Sequence, residues 1–147
     1  MRSSAATPAA TAANGQYANI AGIGGPAATR VRVATGSWYD ALPRDLRGTL
    51  GLIVSNPPYV AEAELASLPP VVADWEPHEG LVSGPTGLEA ITAIVAGAPE
   101  WLDAGGGTLV SELAPHQADA VVALAKDAGF TEVMVVPDLV RRDRALV

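Results

Sequence analysis

The feature that most constrains this chain is an apolar run that ends at two consecutive prolines. Residues 50–55 read Leu-Gly-Leu-Ile-Val-Ser, and Asn56, Pro57, Pro58 and Tyr59 follow directly. A short continuous apolar run is typical of a central strand in a parallel sheet. Proline has no backbone N–H to donate, so the strand must end before Pro57. The pattern therefore predicts a buried strand with residues 56–59 just beyond its carboxyl end.

The rest of the chain from residue 30 alternates between strand-like and helix-like segments. Thr86 and Glu89 have the spacing of a capping box, which places a helix start beside them. Strands are predicted over residues 30–35, 50–55, 108–113, 131–136 and 145–147, and helices over residues 87–98 and from Pro115 to Gly129. Strands that alternate with helices predict an α/β fold, with helices on the faces of the sheet.

Two segments stand apart from this alternation. Residues 1–28 are dominated by Ala, Thr, Gly, Ser and Pro without any acidic residue, so we expect low-complexity, disordered chain there and a folded domain over 29–147. Residues 60–85 contain four prolines and predict a long loop with one short helix at 62–67. Long ordered loops in compact domains usually serve function.

The composition excludes several classes of activity. The net charge is -7, which disfavours binding through a phosphate backbone, and the basic cluster of Arg141, Arg142 and Arg144 is interpreted as a solvated turn. With no cysteine there is neither a disulfide nor a thiolate site, and a cytoplasmic location is expected. His78 and His116 lie in different segments without a third ligand at metal-binding spacing, so no metal site is predicted.

Residues 56–59 are the strongest candidate for chemistry. In open α/β sheets, ligands bind beyond the carboxyl ends of the strands. The Asn56 side chain offers an acceptor and a donor, the two proline carbonyls accept without a competing N–H, and Tyr59 gives a flat stacking face. Such a rigid, acceptor-rich site suits an NH2 group on a planar carbon, held in line with a methyl donor.

These residues, with others along the chain, resemble the release-factor glutamine methyltransferases, also called the HemK-like family. The resemblance covers residues 31–147. Besides residues 52–59, it rests on residues 36–42 (Gly-Ser-Trp-Tyr-Asp-Ala-Leu), Glu76-Pro77, residues 84–89, Trp101-Leu102 with the glycines at 105–107, Glu112 with Gln117, residues 128–130, Asp138-Leu139 and residues 142–144. The fold implied is the C-terminal part of a Rossmann-like methyltransferase sheet, without the family's first two strands and glycine-rich loop.

The resemblance also implies roles for individual residues. Asn56, Pro57 and Tyr59 would be catalytic, and with Pro58 they would hold the side-chain amide of a glutamine. Trp38, Ser37 and Asn56 would contact S-adenosyl-L-methionine, the methyl donor. The implied reaction is N5-methylation of the glutamine in a Gly-Gly-Gln motif of a peptide chain release factor, and no membrane or metal is expected.

The family's cofactor-binding half has no counterpart in the pattern of residues 1–29. The leading interpretation is thus a truncated family member, in which the activity is either retained or lost. Two alternatives stay open. One is an amino-methyltransferase acting on a flipped nucleic-acid base, a class that uses a similar motif, although the acidic charge argues against it. The other is a non-catalytic methyltransferase-like module completed by a partner.

Overall fold

The computed structural model describes residues 3–7, 30–69 and 77–147. The chain divides into two compact units, Met1–Arg47 and Gly48–Val147. In the first unit, strand β1 (Ser3–Thr7) pairs in parallel with β2 (Val31–Thr35), so that Ser3 lies opposite Val31. Two short 3-10 helices follow, Trp38–Ala41 and Arg44–Leu46.

The second unit contains a four-stranded mixed sheet. Its strands are β3 (Leu52–Ser55), β6 (Thr108–Glu112), β7 (Val135–Pro137) and β8 (Asp143–Leu146), in the order β3-β6-β8-β7. β3 and β6 run parallel, while β8 runs antiparallel to both β6 and β7. The predicted α/β class is confirmed, and four of the predicted strand segments join in this one sheet.

A second, smaller pairing lies within the proline-rich segment. β4 (Val60–Ala61) and β5 (Val82–Gly84) run parallel, and the 3-10 helix Glu62–Ser67 follows β4 at the predicted position. A one-turn helix, α1 (His78–Leu81), leads into β5. The segment predicted as a long loop therefore has both ends fixed by hydrogen bonds beside residues 56–59.

Two longer helices cover one face of the sheet. α2 spans Glu89–Trp101 and α3 spans Ala118–Asp127, preceded by a 3-10 turn at Pro115–Gln117. Their apolar stripes form the core with alternate residues of β6 and β8. The fully or almost fully buried side chains include Ile91, Val95, Ala98, Leu109, Leu113, Val121, Ala125 and Leu146.

Several predicted boundaries differ from the structure, most clearly those of α2 and β7. The second-unit helix α2 begins at Glu89 and not at 87, because Gly87 has φ +78°, outside the helical region. It continues through Pro99 to Trp101, since a proline near the end removes only one helical hydrogen bond. β7 begins at Val135 and not at 131, although Met134 and Val147 exchange two backbone hydrogen bonds just before it.

The apolar run that predicts a central strand forms an edge strand. Within the described part of the chain, β3 has a neighbour only on the β6 side. Leu52 and Val54 are exposed while Ile53 and Ser55 are half-buried, so only one face of β3 is covered. Residues 17–23 of the low-complexity segment and Glu76, one of the residues that carry the family resemblance, both lie outside the described residues.

Candidate active site at the end of strand β3

Residues 56–59 leave the carboxyl end of β3 and line a pocket of about 380 Å³. Val60, Leu68, Gly80 and Leu81 form the rest of the described lining, so the segment after β4 and the helix α1 face the prolines. Pockets of this size bind small ligands or single side chains with their neighbours. The structure thus brings the four predicted substrate-binding residues together in one concave site.

The polar groups that the tetrapeptide presents are mainly acceptors. Asn56 is exposed, and within the described residues its side-chain amide makes no hydrogen bond, which leaves it open to a ligand. Pro57 is buried and Pro58 half-buried. Because neither proline nitrogen carries a hydrogen, the main chain here can accept hydrogen bonds but has few to donate.

Tyr59 is linked through its hydroxyl to the end of the neighbouring strand. The hydroxyl donates to Glu112 Oε1 at 3.5 Å, and Arg144 Nη1 lies 3.5 Å from the same oxygen. Arg144 Nη2 is also 3.8 Å from Asp138 Oδ2. Because β3 and β6 are parallel, with Ser55 opposite Ser111, Glu112 lies at the same edge of the sheet as Asn56. The Glu112 carboxylate, which is itself paired with Arg144, therefore holds the Tyr59 hydroxyl.

The main chain of Tyr59 is held by a second contact. Gln117 Nε2 donates to the Tyr59 carbonyl and to the Gly87 carbonyl, each at 3.0 Å, and Gln117 Oε1 accepts from the Ala114 N–H at 3.2 Å. Gln117 is 3% exposed. Its three hydrogen bonds use both amide hydrogens and the amide oxygen, so a buried polar group is satisfied.

Of the three residues predicted to contact the cofactor, Ser37 and Trp38 belong to the first unit and Asn56 belongs to the second. Ser37 is exposed and Trp38 is half-buried at the start of the 3-10 helix Trp38–Ala41. Trp38 has φ +45°, a left-handed conformation that a bulky side chain adopts only at a cost. Burial raises the pKa of the adjacent Tyr39 above its ordinary value, so its hydroxyl stays protonated.

The sequence prediction misses the supporting residues of this site. Glu112 and Gln117 are named above only for the family resemblance, and the pattern predicts a solvated turn for the arginine cluster. Arg141 and Arg142 are exposed, but Arg144 is half-buried against Glu112. One signal is present for Glu112: a carboxylate at the end of the strand next to the tetrapeptide. The sequence contains no comparable signal for the burial of Gln117.

Curated relatives match most of this chain in sequence. A release factor glutamine methyltransferase of Cereibacter sphaeroides is 41% identical over 138 residues, which are 94% of this chain and 46% of that protein. Proteins with the same name from Mycolicibacterium smegmatis and Thermosynechococcus vestitus are 43% and 40% identical over 71% and 80% of this chain. This chain resembles the C-terminal part of release factor glutamine methyltransferases.

The release factor glutamine methyltransferases are longer than this chain, which spans less than half the length of the relatives named above. The match with the Cereibacter protein is too long to fit within residues 31–147, so it extends into the N-terminal segment. No family model matches the chain. Within residues 3–7, 30–69 and 77–147, none of the helices is both long and apolar enough to cross a membrane.

Proposed function

We propose that this chain takes part in the transfer of a methyl group from S-adenosyl-L-methionine to the side-chain amide nitrogen of a glutamine in a peptide chain release factor, in the cytoplasm. The observation that carries the proposal is the tetrapeptide at residues 56–59, which lines a pocket at the carboxyl end of β3 in a chain similar to release factor glutamine methyltransferases. The four-residue motif alone is weak evidence because it is short, but its position directly after a strand makes a functional role more specific.

The chemistry of the pocket suits an amide donor. A glutamine NH2 has two hydrogens, and the Asn56 carbonyl and a proline carbonyl are two acceptors that could take both. With both hydrogens held in plane, the face of the nitrogen is open toward an electrophile. Positive charge that develops on this nitrogen would be stabilised by the same oxygens, so catalysis comes from placement and preorganised dipoles.

Three residues are proposed to hold the cofactor. Asn56 is exposed at the pocket, and Ser37 and Trp38 are the other residues proposed to hold S-adenosyl-L-methionine. The strained φ of Trp38 supports a functional role for it, because strained residues cluster at ligand sites. When bound, the cofactor supplies an electrophilic methyl group. The described residues account more fully for the pocket at residues 56–59, which is proposed to receive the amide.

Methyl transfer from labelled S-adenosyl-L-methionine tests the proposal. The acceptors are a release factor with its Gly-Gly-Gln motif, the same factor with that glutamine changed to glutamate, and single-stranded DNA. We expect label only on the first acceptor. Asn56→Ala should lower the transfer at least about 100-fold, the order seen when one preorganised polar contact to a developing charge is lost. Asp119→Asn, an exposed change on α3, serves as the control.

Other outcomes separate the alternatives. Label on DNA but not on the release factor would favour the base-methylating class. Saturable binding of S-adenosyl-L-methionine in calorimetry, without transfer to any acceptor, would leave a cofactor-binding module. If neither binding nor transfer is detected, the chain alone is not an active methyltransferase and the proposal is wrong for it.

A further inference from the structure

Among the hydrogen bonds between described residues, Gln117 makes the one from a side chain to the main chain of residues 56–59. Gln117 is the last residue of the 3-10 turn Pro115–Gln117, directly before α3, and it is not one of the described residues that line the pocket. We propose that Gln117 is a positioning residue: it fixes the Tyr59 carbonyl and thereby the acceptors of Asn56 and the prolines. The catalytic consequence of this role rests on the proposed function.

The contacts require an amide in particular. Gln117 accepts one hydrogen bond from Ala114 N–H and donates two, to the carbonyls of Tyr59 and Gly87. A simple helix-capping role would need only the acceptor, which a glutamate also supplies. A glutamate at this position would place a second oxygen, in the place of Nε2, against the carbonyl oxygens of Tyr59 and Gly87. The hydrogen bonds that Gln117 donates therefore distinguish a positioning role from helix capping alone.

Tyr59 is held at two separate atoms by one short stretch of chain. Gln117 binds its carbonyl, and Glu112 at the end of β6 accepts from its hydroxyl. Residues 112–117 thus hold both the side chain and the main chain of Tyr59. Because the proline rings at 57 and 58 restrict φ, a shift of Tyr59 carries the acceptor carbonyls before it along. A displacement of about 1 Å at such a site can cost about 100-fold in rate.

Hydrogen exchange followed by NMR tests this role without any ligand. The Ala61 N–H, which donates to Glu64 Oε2 at 3.0 Å, reports on the chain just after the tetrapeptide. The amides of Val110 in β6 and Ile94 in α2 report on the core. In Gln117→Ala we expect the protection of Ala61 to fall about tenfold or more, mainly because the two hydrogen bonds that Gln117 donates are lost, with smaller changes at Val110 and Ile94. Asp119→Asn should leave all three unchanged.

Gln117→Glu supplies a test that a general loss of stability would not mimic. At neutral pH its carboxylate repels the two carbonyls, so the protection of Ala61 should be low. At a pH that protonates the carboxyl, its O–H can donate to one carbonyl, and protection relative to the wild type at the same pH should recover in part. If Gln117→Ala does not fold, the pH response of Gln117→Glu alone decides whether Gln117 is a positioning residue.

The outcomes that contradict the proposal are distinct from those that contradict the function. Unchanged protection of Ala61 in Gln117→Ala, an equal loss at all three amides, or no pH response in Gln117→Glu would each overturn the positioning role. Where the wild type methylates a release factor, Gln117→Ala should lower kcat by a larger factor than it raises the Kd for S-adenosyl-L-methionine, since Asn56 is one of three residues proposed to hold the cofactor. A wild type that transfers no methyl group contradicts the proposed function and leaves the exchange result standing.

Discussion

Gly87 combines two constraints at one residue beside the candidate site. Its φ of +78° lies in the left-handed region, where a side chain is strained. A Cβ at this position would also lie 2.7 Å from the Tyr59 carbonyl oxygen and 3.0 Å from both Ala61 N and Gln117 Nε2. The absent side chain of Gly87 therefore makes the contact between Gln117 and the tetrapeptide possible.

Substituting Gly87 should cost more than its backbone conformation explains. Gly48 has a similar φ of +68°, and a Cβ there would have no atom within 4 Å, so Gly48→Ala isolates the conformational cost of about 1–2 kcal/mol. Gly87→Ala should lower the free energy of unfolding by at least about 1 kcal/mol more, because the methyl group displaces the Tyr59 carbonyl. Urea unfolding of both variants measures the difference, and equal losses would refute the close approach.

At the scale of single residues, the sequence is informative where chemistry and backbone restriction coincide. Asn56 and the two prolines are identifiable because few other roles require that order of residues after a strand. Gln117 is not identifiable by the same reasoning, since an isolated glutamine is ordinarily exposed and its burial depends on the folded positions of Tyr59 and Gly87. Its contacts with both carbonyls span long distances in sequence, which no local pattern encodes.

The N-terminus of α2 shows how far local pattern reaches at the scale of an element. The Thr86 N–H and hydroxyl both donate to Glu89 Oε1 at 2.9 Å, so this glutamate reaches back to Thr86, although the N-cap residue of α2 is Leu88. The Thr86 hydroxyl in turn accepts from Leu88 N–H at 3.3 Å. Local spacing thus predicts the contact, while the helix itself starts later, at Glu89, because Gly87 leaves the helical region.

The cap should make stability depend on pH. The backbone N–H of Thr86, followed by smaller contributions from its hydroxyl, holds the pKa of Glu89 below its ordinary value of 4.5. A carboxyl with a lowered pKa in the folded state stabilises it fully above the unfolded pKa, and the effect disappears as pH falls through the folded pKa. The difference in unfolding midpoint between wild type and Glu89→Gln should therefore be largest at neutral pH and shrink below about pH 4.5.

A control separates this cap from general surface charge. Glu132 is exposed and distant in sequence from α2, so Glu132→Gln should leave the unfolding midpoint at neutral pH unchanged. If Glu89→Gln shows a difference that is constant from neutral to acid pH, the ionised carboxylate is not what stabilises the start of the helix.

At the scale of the whole second unit, the two faces of the sheet differ. Leu109, Ser111 and Leu146 are buried on the face that α2 and α3 cover. On the other face, Leu52, Val54 and Val136 are 47%, 69% and 42% exposed. The sequence predicts that β3 is buried on both faces, because its run of apolar residues has no polar alternation. Such a run shows that both faces of the strand are apolar. Whether other elements cover those faces depends on the tertiary arrangement and cannot be read from the strand itself.

The open face gives a prediction that depends on the arrangement of the entire sheet. Val54→Lys places a charge on exposed surface and should change the free energy of unfolding by no more than about 0.5 kcal/mol. Val121→Lys, at a valine that is 0% exposed in α3, buries an unpaired charge and should cost several kcal/mol, on the order of 3–5. Among the described strands, β3 has a neighbour on one side only. An exposed apolar face beside such an edge favours self-association, so Val54→Lys should reduce any concentration-dependent increase in sedimentation coefficient. If Val54→Lys destabilises the chain as much as Val121→Lys does, this face is covered in solution, and the difference between the two faces of the sheet is wrong.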